Sequence, residues 1–217
     1  MEHFESWKDL VNPEFYIKLG GFWLVLLIVF AESGLFFGFF LPGDSLLFIS
    51  GIYSTTIISE TFGNTGSDLL NTTILAATVG VAAILGDSVG YWFGSKSGQK
   101  LYQKKESFFF KRSYLLKAQQ FYEENGAMAI IIARFLPMIR TFAPIVAGIV
   151  KMDSKKFFLY NIIGGLLWSF SLIFAGHYLD KLFIEQFGID LKKHLEYIII
   201  GLIVVTTTPV IIKALKK

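Results

Sequence analysis

The 217-residue sequence contains no cysteine, which excludes disulfides, thiolate metal sites, cysteine nucleophiles and redox roles, and leaves the compartment unmarked by thiol usage. Histidine is scarce too. His3, His177 and His194 are the three present, and none lies near the arginines or beside an acid at a spacing that suggests a nucleophile with its base. No triad, metal-ligand cluster or phosphate-cradling glycine loop can be assembled. The chain therefore reads as a non-enzyme without cofactor or metal; a membrane phosphatase is a weaker reading. His177 ends an apolar run and reads as an interfacial residue. The net charge of +3 is too small to demand a nucleic-acid partner, and where the basic residues lie says more than their sum.

What the sequence has in excess is apolar surface. Hydrophobic residues make up 53%, aromatics 17%, and the mean hydropathy is +0.56, too apolar for a soluble domain. The length suits one membrane domain over 1–217. Residues 20–40, 69–94, 157–179 and 195–212 are each long enough to cross a hydrocarbon core that takes roughly 20 helical residues. The first run follows Glu2, Glu5, Asp9 and Glu14 rather than a basic segment, so no cleaved signal peptide is expected.

Charge placement orients these spans. Between 94 and 126 lie Lys96, Lys100, Lys104, Lys105, Lys111, Arg112 and Lys117 against Glu106, Glu123 and Glu124, which marks that loop as cytoplasmic. Residues 59–68 carry Glu60 and Asp68 and no basic residue, and should face outward. Two further apolar stretches, 41–58 and 127–150, contain proline and glycine. Were both full spans, Lys151, Lys155, Lys156, Lys213, Lys216 and Lys217 would all fall outside. As re-entrant hairpins, one dipping from each side, they leave every one of those lysines, and both termini, in the cytoplasm. The expected fold is an all-α polytopic membrane protein: about four transmembrane helices and two opposed re-entrant helical hairpins. Phe40-Leu41-Pro42 opening a stretch that ends at Gly51, and Phe135-Leu136-Pro137 opening one that ends at Gly148, give a weak inverted-repeat echo. Leu101, Phe108, Leu115, Ala118 and Tyr122 at helical spacing suggest a cytoplasmic interfacial helix over 101–122.

An ionisable group in hydrocarbon costs roughly 2.5–3.5 kcal/mol, so each one there must be paired, hydrated or used. Five need explaining: Glu32, Asp44, Asp87, Arg134 and Arg140. The arginines are the sharper signal, because the chain uses 17 Lys and 3 Arg, and two of those three fall in one apolar stretch. A guanidinium stays charged and grips carboxylate or phosphate through two parallel hydrogen bonds. They also suit simple neutralisation of Glu32 and Asp44. Glu32 fits a proton-coupling role, since burial raises and a neighbouring arginine lowers its affinity for protons. Asp44 either shares that role or caps a half-helix beginning at Ser45. Asp87, within Gly86-Asp87-Ser88-Val89-Gly90, suits helix packing, an interhelical hydrogen bond or function equally. Backbone broken at Pro42, Gly43, Pro137 and Pro144 would free amides that only protein or water can satisfy, implying a polar, anion-favouring cavity.

Three segments carry a resemblance to a known family: Glu32-Ser-Gly-Leu-Phe-Phe-Gly-Phe-Phe-Leu-Pro-Gly-Asp44-Ser-Leu-Leu-Phe, Gly86-Asp87-Ser-Val-Gly-Tyr-Trp-Phe-Gly94, and Ala133-Arg134-Phe-Leu-Pro-Met-Ile-Arg140-Thr-Phe-Ala-Pro-Ile-Val-Ala-Gly148. They resemble the signature segments of the DedA (SNARE-associated, VTT-domain) family. The resemblance implies a bacterial inner-membrane protein with two opposed re-entrant hairpins, needed for envelope homeostasis and acting in proton-dependent transport. Its members include undecaprenyl phosphate and phosphatidylethanolamine translocases, and its relatives include scramblases. It places the family's required acids on Glu32 and Asp44 and its required arginines on Arg134 and Arg140. Ala133 and Met138 stand where the family often has glycine, which bears on substrate preference. The expected partners are a lipid with a phosphate head group, protons, and a second copy of the chain as a possible homo-oligomer. The alternative is a proton-coupled transporter of small solutes or cationic drugs, with the acids as its binding site.

Overall fold

The computed structural model describes residues 13–34, 43–103, 120, 122, 124–126, 128–188, 191 and 201. Its named elements are all helices: α1 Pro13–Gly34, α2 Gly43–Ile52, α3 Ser54–Phe62, α4 Asp68–Gln103, α5 Met128–Arg134, α6 Pro137–Arg140, α7 Ala143–Ile149 and α8 Ser154–Phe187. The chain divides into two compact units: Met1–Ile28, Leu41–Gly80 and Ser169–Lys217 form one, Val29–Phe40 and Val81–Trp168 the other.

Among the described residues, two helices are long and apolar enough to cross a membrane, Asp68–Gly98 and Ser154–Phe187. At 1.5 Å per residue each exceeds a core of roughly 30 Å. Large apolar side chains stand exposed at helical spacing on both, Val81, Leu85 and Trp92 on α4 and Phe158, Ile162 and Leu167 on α8. Such a face is stable against lipid and costly against water.

Of the expected crossing at 20–40, residues 20–34 are described. Gly21 leaves helical geometry at φ 51 and ψ −133, and the apolar helix that follows, Gly21–Gly34, is roughly 20 Å long, too short to cross alone. The expected span 195–212 and the expected surface helix 101–122 lie largely outside the described residues, as does Pro42.

In the first unit, α2 is buried on every face apart from Asp44. Phe48, Leu46, Leu47 and Ile49 sit in a core with Ile57, Ile58, Leu75, Val79 and Ile173. A ten-residue apolar helix wrapped in protein is how membranes accommodate broken backbone. Of the hairpin expected at 41–58, residues 43–58 are described, and they are broken in two. Tyr53, at φ −96 and ψ 12, bends the chain, while Tyr53 N–H donates to the Ile49 carbonyl at 3.1 Å and Ile57 N–H to the Tyr53 carbonyl at 2.9 Å. Tyr53 thus links two separate helices, α2 ending at Ile52 and α3 beginning at Ser54.

In the second unit the segment 128–149 does fold back. Ile130 of α5 and Ala147 of α7 share one buried cluster with Phe157 of α8, so the outgoing and returning arms pack together with α6 at the turn. Seven residues per arm reach about 10 Å. The turn satisfies its own backbone: the Leu136 carbonyl accepts from Ile139 N–H at 2.9 Å and Arg140 N–H at 3.0 Å, and the Ile139 carbonyl from Phe142 N–H at 3.1 Å. The sequence-based expectation of free amides after Pro137 is therefore not met here, because tight local turns consume them.

Each unit contains the same kind of helix crossing. In the first, a Cβ added at Gly51 of α2 would overlap the Ile173 carbonyl of α8, and one at Gly176 would overlap the Phe48 carbonyl. In the second, a Cβ at Gly148 of α7 would overlap the Tyr91 carbonyl of α4, and one at Gly94 would overlap the Ile145 carbonyl. In all four cases the glycine meets the residue three before its partner glycine. Gly51 and Gly148, the ends of the echoed stretches, are therefore equivalent crossing points, where small residues let backbones touch.

Candidate functional site

Four ionisable residues of the second unit converge on the turn of its folded-back segment. Glu32 comes from the last turns of α1 and Asp87 from the middle of α4, both 4% exposed. Their helices approach closely because neither Gly34 nor Gly86 has a side chain: a Cβ at Gly34 would lie 2.7 Å from the Gly86 carbonyl oxygen. Arg134 closes α5 and Arg140 closes α6.

Two ion pairs result. Arg134 Nη2 binds the Asp87 carboxylate, with both side chains about 95% buried, and Arg140 Nη2 binds Glu32 Oε1. Arg134 Nη2 also donates to Asn161 Oδ1 of α8 at 3.0 Å, and Asn161 Nδ2 donates to the Ile84 carbonyl at 3.1 Å. Gly165 makes room for the guanidinium, since a Cβ there would stand 2.7 Å from Arg134 Nη1. That Nη1 has no acceptor among the described residues. The indole of Trp168 lies under both cations, 5.7 Å from the Arg134 guanidinium carbon and 4.9 Å from that of Arg140. Its π face attracts both charges, which are close enough to repel each other.

The two arginines differ in setting. Arg134 is pinned by Asp87, Asn161 and Trp168 with its side chain 5% exposed, whereas Arg140 is 11% exposed. Burying a charge pair is costly and stabilises a fold poorly against a packed apolar alternative, so two such pairs sharing one indole point to use as well as structure.

Of the residues singled out in the sequence, Glu32, Asp87, Arg134 and Arg140 are brought together. Asp87, given no single role there, is the partner of Arg134. Asp44 belongs to the other unit, half-buried in the first turn of α2. Pro137 and Pro144 begin the short helices α6 and α7, where a missing N–H costs nothing. Gly43 opens α2 and is buried.

Asn161 and Trp168 escaped notice in the sequence. Asn161 interrupts an apolar run, and the rule applied to charges in a span extends to amides. Trp168 falls mid-span, whereas tryptophan in membranes concentrates at the interfaces.

Comparison with known proteins follows from this geometry. Residues 18–178 match the VTT domain family. The chain is 39% identical over 193 residues to Protein DedA of Escherichia coli K12, covering 89% of this chain and 81% of that protein. It is 36% identical over 211 residues to an uncharacterized membrane protein of Mycobacterium leprae, covering 94% and 86%. It is 31% identical over 177 residues to the inner membrane protein YqjA of Escherichia coli K12, covering 82% and 74%. No solved structure matches the chain.

Proposed function

The chain belongs to the VTT-domain, DedA-type family of membrane proteins, and from that premise we propose that it carries a lipid phosphate across the bacterial inner membrane in a proton-coupled cycle. Undecaprenyl phosphate and a phospholipid such as phosphatidylethanolamine are the candidate cargoes, and envelope homeostasis the role served. The segment 128–149 acts as a re-entrant hairpin entered from the cytoplasm, opposed by one opening at Pro42, with both chain termini cytoplasmic. The chain is not an enzyme in this reading.

The observation that carries the proposal is the pair of buried guanidiniums at the hairpin turn, each held by a carboxylate from a different helix. The four charges sum to zero. A singly charged lipid phosphate can enter without leaving net charge in low dielectric only if one carboxylate is protonated, and Glu32 is the one bound to the more exposed arginine. Protonation of Glu32 releases Arg140, whose planar fork then takes the phosphate through two hydrogen bonds. Arg134 stays on Asp87 and Asn161 and offers Nη1 as a further donor. Deprotonation of Glu32 restores the ion pair and expels the phosphate. Asp44 is the second residue proposed to exchange protons.

That both arginines already have carboxylate partners favours a second reading, a proton-coupled carrier of small or cationic solutes in which the acids bind and the arginines neutralise. Lysine substitution separates the two. Lysine keeps the charge and loses the fork, so Arg140→Lys should slow lipid movement roughly 10- to 100-fold, the worth of one charge-assisted hydrogen bond. Under the solute reading it should retain most activity. The assay is transbilayer movement of undecaprenyl phosphate and of phosphatidylethanolamine in proteoliposomes, with and without a pH gradient. If folded wild-type protein moves neither lipid, the lipid-phosphate proposal fails.

A further inference from the structure

The first unit buries a second polar group that the reading above leaves unused. Ser54 opens α3, Thr72 lies one turn into α4, and His177 sits well inside α8; they are 0%, 0% and 8% exposed. Ser54 Oγ is 3.0 Å from Thr72 Oγ1 and 3.2 Å from His177 Nδ1. Thr72 Oγ1 in turn donates to the backbone carbonyl of Asp68 at 2.8 Å.

The direction of this chain follows from counting hydrogens. A hydroxyl has one proton to donate, and a carbonyl can only accept. Thr72 gives its proton to the Asp68 carbonyl, so between Thr72 and Ser54 the donor is Ser54. Ser54 has then no proton left for His177, so Nδ1 must carry one. Nδ1 is thereby fixed as a donor in both the neutral and the cationic ring, and the nitrogen that gains or loses a proton is Nε2.

We propose that His177 is a proton-binding site of the transport cycle, held by Ser54 and Thr72 in the Nδ1–H form so that Nε2 takes up and releases the proton. The site deepens the reading of proton-coupled transport and rests on it for its role, but not for its chemistry. Its charged surroundings suit a cation that comes and goes. From α4, Asp68 lies within electrostatic range of His177, and its carboxylate holds Lys181 Nζ at 2.8 Å and Thr55 Oγ1 of α3 at 3.1 Å. On α8 itself stand Lys181, the buried Asp180, and Tyr178, whose ring lies edge-on to the imidazole at 5.3 Å. Glu60, the ionisable residue of α3, is exposed.

The test uses the full-length protein in lipid nanodiscs with His3→Gln and His194→Gln, so that His177 is the remaining imidazole. Nitrogen-15 spectra of labelled histidine should show the neutral ring protonated at Nδ1, with Nε2 titrating reversibly within about pH 5–8. Ser54→Ala should shift the neutral ring towards Nε2–H and lower the midpoint by the amount by which the imidazolium holds that bond more strongly than the neutral ring does. In proteoliposomes, His177→Gln should flatten the pH dependence of lipid movement, and Ser54→Ala should displace its midpoint in the same direction as in the spectra. A neutral ring protonated at Nε2 in the Ser54 protein, or an unchanged pH profile in both folded variants, overturns the inference while leaving lipid transport intact. A ring that titrates as described in protein that moves no lipid overturns the transport reading and with it the site's place in a transport cycle.

Discussion

Replacing Asp87 by Asn tests the division of labour between the two arginines. Asp87 and Arg134 are both about 95% buried and ion-paired. Asparagine keeps the shape and a hydrogen-bond acceptor but removes the charge, stranding a guanidinium whose remaining described partners are Asn161 and the face of Trp168. Leaving one member of a buried pair uncompensated costs about 3–5 kcal/mol. That loss is about two to three and a half orders of magnitude in the folding equilibrium, a large part of a typical stability. Glu32→Gln strands Arg140 in a less buried position, so its penalty should be smaller, while its effect on the pH dependence of transport should be larger. The assay is reversible unfolding in mixed micelles, followed by tryptophan fluorescence, for wild type, Asp87→Asn, Glu32→Gln and the double variant Asp87→Leu with Arg134→Met. The double variant should recover most of the lost stability, because replacing a whole buried pair by apolar groups is close to neutral. The reasoning is refuted if Asp87→Asn unfolds within about 1 kcal/mol of wild type, or if the double variant is no better than the single one.

Asn161→Leu removes the acceptor for Arg134 Nη2 and the donor to the Ile84 carbonyl; it should cost about 1–3 kcal/mol in the same unfolding assay, as for a buried polar group left without its partner. Trp168→Leu takes away the surface under both guanidiniums and should lower lipid movement more than Trp168→Phe, which keeps a weaker π face; equal rates in the two variants would count against the cation–π contact. Gly148→Ala and Gly51→Ala both force a methyl into a carbonyl of the neighbouring helix and should each destabilise by about 1–3 kcal/mol, as overpacking does, measured by detergent-resistant folded fraction after heating. Gly63→Ala meets no atom within 4 Å but sits at φ 87, so strain alone should cost it about 1 kcal/mol.

The membrane class and its two long crossings are legible because α4 and α8 are long and predominantly apolar, a signal that survives without tertiary information. The arginines are legible for a similar reason: two guanidiniums in one apolar stretch are too costly to be incidental. The break at Gly21 is not, since glycine is ordinary in a membrane helix and only the backbone angles reveal that this one leaves the helix. Nor is the pairing of Arg134 with Asp87. It depends on where α4 and the hairpin meet, which is set by side-chain-free contacts such as Gly94 with Ile145 rather than by spacing along either segment. Proline, glycine and the charge of distant loops suggest a broken segment over 41–58 without locating the break that the backbone makes at Tyr53. His177 was read as interfacial because the apolar run stops beside it. The helix itself continues to Phe187, well past His177.

The crossing of α4 and α7 has a mechanical meaning. Gly90, Gly94 and Gly98 of α4 meet Pro144, Ile145 and Ile149 of α7 in matching order, so the two helices lie parallel and touch along their backbones. Side chains at an interface act as compliant bumpers that can switch rotamer and let one helix slip past another. Here the bumpers are missing, and sliding by even a fraction of a turn would drive carbonyl oxygens into α-carbons. The hairpin's returning arm and this part of α4 therefore behave as one rigid strut, and the arginine-bearing turn is carried at its end like the head of a tool, able to tilt with the strut but not to travel along it.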